Sequence, residues 1–404
     1  MKIGISKERK SPPDTRVPLI PWQCASLVED FRKLEIVVED YHERSYTADE
    51  YRQKGIEVVD DLEDCDVIFG VKEIPVENLI ENKTYFFFSH TIKKQVHNRK
   101  LLQAILEKNI RLIDYECLRH PHDGRILGFG RFAGIVGAYN ALLAYGKRYK
   151  TFNLKPAHLC FDIKELEYEL TKVKLGPEKI LVTGAGRVGQ GVLEVMKLAK
   201  INQVNSSDFI TKNFKEPVFA QVEYPEYNRH KDGKPLDEKE FYANPELFES
   251  DFHKFLPETD MLIAGHFWSP KAPRFFTRED MLKDTFNIKV IADISCDLDG
   301  PIPATIRSST ISNPMYGYDP VANSETDSFN KDAVTVMAVD NLPCELPRDA
   351  SEDFGNHLMK DIIPLLIDGD HEDILKKATI AENGKLTENY TYLQDYVNSS
   401  TSSE

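Results

Sequence analysis

The sequence predicts an α/β fold of two domains, each a parallel sheet flanked by helices with a cleft between them, and three observations carry that expectation. The chain has 404 residues, more than a single hydrophobic core ordinarily serves. Short β-type runs alternate with amphipathic helical stretches from the start, and such alternation implies mostly parallel strands covered by helices on both faces. A glycine-rich turn between an apolar run and a helical one falls near residue 184, so a complete α/β domain precedes it.

Lys2 to Ile5 reads as a strand, Pro21 to Leu34 as a helix and Glu35 to Glu39 as the next strand. Val67 to Val71 and Thr84 to Phe88 read as buried strands, and Lys100 to Lys108 as a helix feeding a strand over Arg111 to Tyr115. Gly134 to Arg148, rich in Ala, Leu and Tyr, suits a helix leaving the first domain. Leu154 to Pro177 is mixed and polar, after which Lys179 to Thr183 opens a new strand. A polar stretch from about Lys212 to Phe255 reads as an insertion decorating the second domain. Met261 to Gly265 and Val290 to Asp293 resume the strand pattern, and Asn398 to Ser403 reads as a disordered tail.

Lys179 to Thr183 runs into Gly184-Ala185-Gly186-Arg187-Val188-Gly189, and Val192, Val195 and Met196 then follow at helical spacing. In a strand–turn–helix of this kind the first glycine permits the tight turn, the second admits a pyrophosphate and the third lets helix pack on strand. The phosphates face the free N–H groups of the helix start. Val204 to Asp208 would close a second strand, placing Asp208 where an acid receives the adenine-ribose hydroxyls. An anion there repels a 2′-phosphate and favours NAD, while the hydroxyls of Ser206 and Ser207 leave NADP open.

A formal charge of −15 argues against a nucleic-acid surface, and Lys93, Lys94, Arg99 and Lys100 read as the solvated side of a helix. Charges appear within the first eight residues and no apolar stretch has the length of a membrane span; a cytoplasmic protein with no membrane partner is expected. The six cysteines form no C-x-x-C pair and the eleven histidines no H-x-x-x-H pair, so free thiols and no metal are expected.

Several segments in one order resemble a known family. Ser6-Lys7-Glu8 through Asp14 to Pro21, Gly70 to Pro75, Phe88 to Thr91, Asp114-Tyr115-Glu116 and Phe132-Ala133-Gly134 are similar to the alanine dehydrogenase and transhydrogenase N-terminal superfamily. Within it, Ala292 to Asp297, Val339 to Pro343 and Leu346 to Ser351 resemble the branch of NAD-dependent, L-lysine-forming saccharopine dehydrogenases and lysine-ketoglutarate reductase domains. Asp297 to Pro301 stands where alanine dehydrogenases carry a glycine-rich motif, which speaks against alanine. The polar insertion is not part of the shared core, and Arg187-Val188 occupies a place where family members often carry cysteine, so no regulatory disulfide is expected.

The resemblance implies two Rossmann-like domains: a discontinuous substrate domain of residues 1–133 and 343–404, and an NAD-binding domain of 134–342. It implies an oxidoreductase joining the ε-amine of lysine to 2-oxoglutarate through an imine that a nicotinamide hydride reduces, reversibly. Another amino-acid dehydrogenase of the superfamily, alanine dehydrogenase-like, is one alternative; a dinucleotide-binding sensor without catalysis is another. Lys72 and His90 match the acid/base pair, with Glu73 and Glu116 beside them. Without the resemblance, Lys72 reads as a surface lysine paired with Glu73 and His90 as a strand-end histidine bonded to backbone. Arg16 and Arg125 match the substrate-carboxylate positions, where a guanidinium binds bidentately; pairing with Asp14 or Asp123 is the alternative. Asp340 matches a position at the nicotinamide end, or caps a turn. Gly184, Gly186, Arg187, Val188, Gly189 and Asp208 complete the cofactor set, and small-molecule amino-acid and 2-oxo-acid substrates are the expected partners, with oligomeric state left open.

Overall fold

The computed structural model describes residues 1–9, 14–122 and 124–399 and divides into two compact units, Met1–Gly128 with Pro347–Glu404, and Phe129–Leu346. Among the described residues no helix is long and apolar enough to cross a membrane, and the six cysteines are free.

The first unit is built on an eight-stranded sheet. Its spatial order is Lys385–Leu386, Thr379–Glu382, Arg111–Asp114, Thr84–Phe88, Val67–Lys72, Lys2–Ile5, Glu35–Glu39 and Glu57–Val59. The six strands from the N-terminal part pair in parallel. The C-terminal hairpin adds two antiparallel strands beside Arg111–Asp114, so both ends of the chain build this sheet. Runs such as Thr-Tyr-Phe-Phe-Phe become central strands because both faces are covered; Phe69 and Phe86, in register on adjacent strands, stack at 4.5 Å and are fully buried. The helix Arg99–Glu107 turns Leu101, Leu102, Ala104 and Ile105 inward. Strands are added in one direction from Lys2–Ile5 to Glu57–Val59 and in the other from Val67–Lys72 onward. The carboxyl ends of Lys2–Ile5 and Val67–Lys72 therefore flank a topological switch point, where open α/β sheets place their ligands.

The second unit carries the order Ser324–Thr326, Met315–Asp319, Val334–Met337, Val290–Asp293, Met261–Ala264, Lys179–Thr183, Val218–Val222 and Asn202–Gln203. The six strands from Val334–Met337 to Asn202–Gln203 pair in parallel, and Met315–Asp319 alone is reversed, pairing antiparallel with both of its neighbours. Val218–Val222 corrects the reading of residues 212 to 255 as decoration: it pairs with Lys179–Thr183 over its whole length and buries Ala220 and Val222 in the core. Five β-type residues suffice for a buried strand, and the charged residues around them hid it.

The helix Gly130–Tyr149 starts before the expected Gly134. The glycines that look like helix breakers are contact points with the helix Arg187–Leu198. A Cβ on Gly134 would lie 1.9 Å from the Val188 carbonyl oxygen, and one on Gly191 2.0 Å from that of Arg131. Only glycine lets the two backbones approach so closely, and this contact braces the helix that follows the glycine turn.

Candidate functional site

In the first unit the parallel strands deliver their chemistry at carboxyl ends. Lys72 closes the strand Val67–Lys72 and is half-buried. The pairing with Thr84–Phe88 shifts register between Phe69 and Lys72. The displaced backbone is held by Glu8, whose carboxylate accepts from the N–H groups of Val71 at 2.7 Å and Lys72 at 2.9 Å. His90 follows Thr84–Phe88, with φ of 54° in the left-handed region and its ring over Phe88. Its Nδ1 lies 3.7 Å from Glu73 Oε2, so Glu73 joins the segment of Lys72 to His90.

A buried aspartate fixes the next two strand ends relative to each other. Asp114 accepts hydrogen bonds from Ser89 N–H at 2.9 Å, from the Ser89 hydroxyl and from Glu116 N–H at 2.8 Å. The residue before His90 and the backbone of Glu116 thus hang on one carboxyl, which burial pushes above its ordinary range. Glu116 in turn meets Lys93 Nζ and Arg125 Nη2, each at 3.2 Å. Arg125 pairs with Glu116; Asp123, the partner weighed above, lies outside the described residues.

Arg16 is 3% exposed and pairs bidentately with Asp14, Nε to Oδ1 at 3.0 Å and Nη2 to Oδ2 at 2.6 Å. Burial alone would raise the Asp14 carboxyl, but the guanidinium overrides it and holds the group down to about 2. Glu8 moves the other way: burial first, then the Asp14 charge, push it up to about 8. Arg16 is thus engaged by Asp14, as its local alternative anticipated. Glu8, Asp114 and Lys93 stand in segments named from the sequence but are not among its candidate site residues. Glu8 and Asp114 act through contacts 25 to 64 positions away, which no local pattern reveals. Lys93 sat in a basic run taken for a solvated face. A cavity of about 650 Å3 in this unit is lined by Ser6, Arg9, Ile74 and Glu77 but by neither Lys72 nor His90.

In the second unit Gly184 has φ of 90°, and a Cβ there would lie 2.8 Å from the Gly265 carbonyl oxygen; a Cβ on Gly189 would lie 2.1 Å from that of Gly184. These are the tight turn and the close helix–strand contact. At Gly186 a Cβ would meet nothing within 4 Å, leaving open space before the first turn of the helix Arg187–Leu198. An anion there faces the start of that helix, so the turn fits a pyrophosphate. Gly184 to Val188 line a cavity of about 450 Å3 together with Glu223, Tyr242 and His266.

Asp208 is not at a strand end. The strand stops at Gln203, and Asn205 caps a helix, Ser206–Thr211, by accepting from Asp208 N–H at 2.8 Å. The Asp208 carboxylate pairs with Lys212 at 2.9 Å and is not among the cavity's lining residues. The acid on the strand beside Lys179–Thr183 is Glu223, directly after Val218–Val222. A short, mostly apolar run, Val218-Phe219-Ala220-Gln221-Val222, ending in an acid was the available signal. Asp340 is exposed, follows Val334–Met337 and raises the nearby Cys296 thiol after burial and Asp293; it too lies outside the cavity lining.

Two family descriptions match the chain in succession. The family description "Alanine dehydrogenase/PNT, N-terminal domain" matches residues 4–136 and "Alanine dehydrogenase/PNT, C-terminal domain" matches 168–392. An α-aminoadipic semialdehyde synthase of Arabidopsis thaliana is 30% identical over 97% of the chain, and a mitochondrial one of Mus musculus 28% over 97%. The chain spans 41% and 47% of these two relatives. A saccharopine dehydrogenase (NAD+, L-lysine-forming) of Emericella nidulans is 26% identical, with 95% of this chain and 97% of the relative aligned. Among solved structures an L-alanine dehydrogenase superposes with a TM-score of 0.63 at 17% identity, covering 98% of each chain, and a transhydrogenase from Sinorhizobium meliloti with 0.58 at 15%, covering 96% and 99%. The chain belongs to the alanine dehydrogenase/PNT family, alongside the saccharopine dehydrogenases and aminoadipic semialdehyde synthases.

Proposed function

We propose that the chain is a nicotinamide-dependent oxidoreductase of amino-acid metabolism that condenses the ε-amine of L-lysine with 2-oxoglutarate and reduces the product to saccharopine, reversibly. The observation that carries this reading is the approach of His90 to Glu73, the neighbour of Lys72, at the carboxyl ends of adjacent parallel strands. The relatives named for saccharopine and aminoadipic semialdehyde support the substrate class.

Joining an amine to a ketone forms a carbinolamine, which loses water to give an imine. One group must give a proton to the departing oxygen and another must take one from nitrogen. Lys72 and His90 fill these roles. Glu73 orients His90 and Asp114 fixes the loop that carries it. Arg125 engages a substrate carboxylate, drawing on a guanidinium now shared with Glu116, while Arg16 with Asp14 sets the local charge. A nicotinamide, when bound, would supply the hydride, and Asp340 would stand at its end of the second unit.

NAD is the cofactor of this reading, because the Glu223 carboxylate stands where a 2′-phosphate would be repelled. Glu223→Gln is expected to narrow the preference for NADH over NADPH at least tenfold, read from kcat/KM with each coenzyme; a wild-type preference for NADPH would contradict the role. The substrate assignment is tested by initial rates of NADH oxidation with lysine and 2-oxoglutarate, each omitted in turn. Both omissions should abolish the rate, and turnover with pyruvate and ammonia instead would replace the reading with an alanine dehydrogenase.

A further inference from the structure

The stretch from Glu223 to Ser250 is more elaborate than a connection between two strands requires. It forms a short helix, Glu238–Ala243, and a hairpin of Asn228–His230 with Phe248–Ser250. Phe241 is buried, stacks on Tyr224 at 4.9 Å and meets Phe248 edge-on at 5.1 Å, which fixes the helix on an aromatic footing. The next residue, Tyr242, is 56% exposed although its ring lies 5.6 Å from Tyr224. Tyr242 and the exposed Phe267 both border the cavity that contains the glycine turn. Exposed aromatic faces gathered on a cavity wall are binding surface.

We propose that this segment is a nucleobase clamp: Tyr242, backed by Tyr224 and Phe241, is the stacking wall for the adenine ring of an adenosine ligand whose phosphates lie on the glycine turn, and Glu238 with Glu223 admits a ribose bearing free hydroxyls. The inference rests on the dinucleotide reading above and assigns the residues that hold its purine end.

Three observations support it. The glycine turn and the aromatic segment share one cavity of about 450 Å3, so a ligand seated on the turn extends toward the aromatic wall. The two ends differ in charge: helix N–H groups face one, while Glu238 and Glu223 both act on the Tyr242 hydroxyl, which burial and these carboxylates raise. A phosphate is favoured at the first end and repelled at the second. Finally, His266 borders the same cavity, is 7% exposed and spends Nδ1 on the Thr183 hydroxyl at 2.9 Å, while Nε2 has no hydrogen-bond partner. Burial holds its imidazole neutral, down to about 3. A buried polar atom without a partner is costly, and a heterocycle or ribose hydroxyl would satisfy it.

The test titrates the full chain with 5′-AMP, nicotinamide mononucleotide, NADH and NADPH by calorimetry, comparing wild type with Tyr242→Ala, Tyr242→Phe and Glu238→Gln. Tyr242→Ala should weaken 5′-AMP and NADH by the same factor, at least fivefold, and leave nicotinamide mononucleotide unchanged, because a base–aromatic stack is lost. Tyr242→Phe should retain wild-type affinity, and Glu238→Gln should improve NADPH relative to NADH. Equal 5′-AMP affinity in wild type and Tyr242→Ala, or no 5′-AMP binding by wild type, overturns the clamp. A Tyr242-dependent 5′-AMP site in a protein that does not turn over lysine with 2-oxoglutarate overturns the proposed reaction and leaves the clamp standing.

Discussion

Lys72 is the residue on which the proposed chemistry depends most. Replacing it with Met keeps most of the stem and removes the titrating amine, so turnover should fall about a hundredfold or more while NADH affinity stays within about twofold; unchanged turnover removes Lys72 from the mechanism. Glu8 makes a prediction about stability. Its ordinary value is 4.5 and burial with the Asp14 charge raises it to about 8, so the folded state binds this proton more tightly than the unfolded chain does. The resulting stability is fully present below the ordinary value and is lost as pH rises through about 8. Asp14 contributes in the opposite sense, losing its share only as pH falls through about 2, well outside that window. Urea midpoints between pH 5 and 9 should therefore decline for the wild type and flatten for Glu8→Gln; parallel curves would show that Glu8 is not the titrating group. The roles proposed for Lys72 and His90 come from the family resemblance, since their own sequence context reads equally as a surface lysine beside Glu73 and a strand-end histidine. Glu8 was not legible, because beside Lys7 and Arg9 it looks like one more surface charge, and its burial comes from a strand more than sixty positions away.

At the scale of elements, the crossing of Gly130–Tyr149 with Arg187–Leu198 leaves no room for a side chain. Gly134→Val should cost on the order of 1–3 kcal/mol of unfolding free energy and weaken dinucleotide binding by displacing the Val188 backbone. Denaturant unfolding and a coenzyme titration measure the two, and a stable variant of wild-type affinity would refute the contact. The strand Lys179–Thr183 and its turn were read to the residue, because an apolar run meeting a spaced glycine pattern is local information. Val218–Val222 was missed because its five residues sit among charges, and without that strand the acid sought after it was placed at Asp208 instead of the proposed Glu223. Asp208 itself shows how one capping side chain, Asn205, can turn an expected strand end into a helix start.

At the scale of the whole molecule, both chain ends meet in one sheet, with Thr379–Glu382 pairing against Arg111–Asp114. Local patterning suggested the parallel strands, whereas only the family resemblance assigned the C-terminal segment to the first unit. Ending the chain at Leu346 should expose the edge of Arg111–Asp114 and make the first unit sensitive to limited proteolysis; a truncated protein as resistant as the intact one would show that this pairing is dispensable. The central claim concerns what the assembled chain makes. Incubating it with NADH, lysine and 2-oxoglutarate and determining the product by mass spectrometry should give one compound that retains both carbon skeletons, with water lost and two hydrogens gained. Recovery of unchanged lysine and 2-oxoglutarate, while NADH is consumed with another amine and oxo-acid, would contradict it.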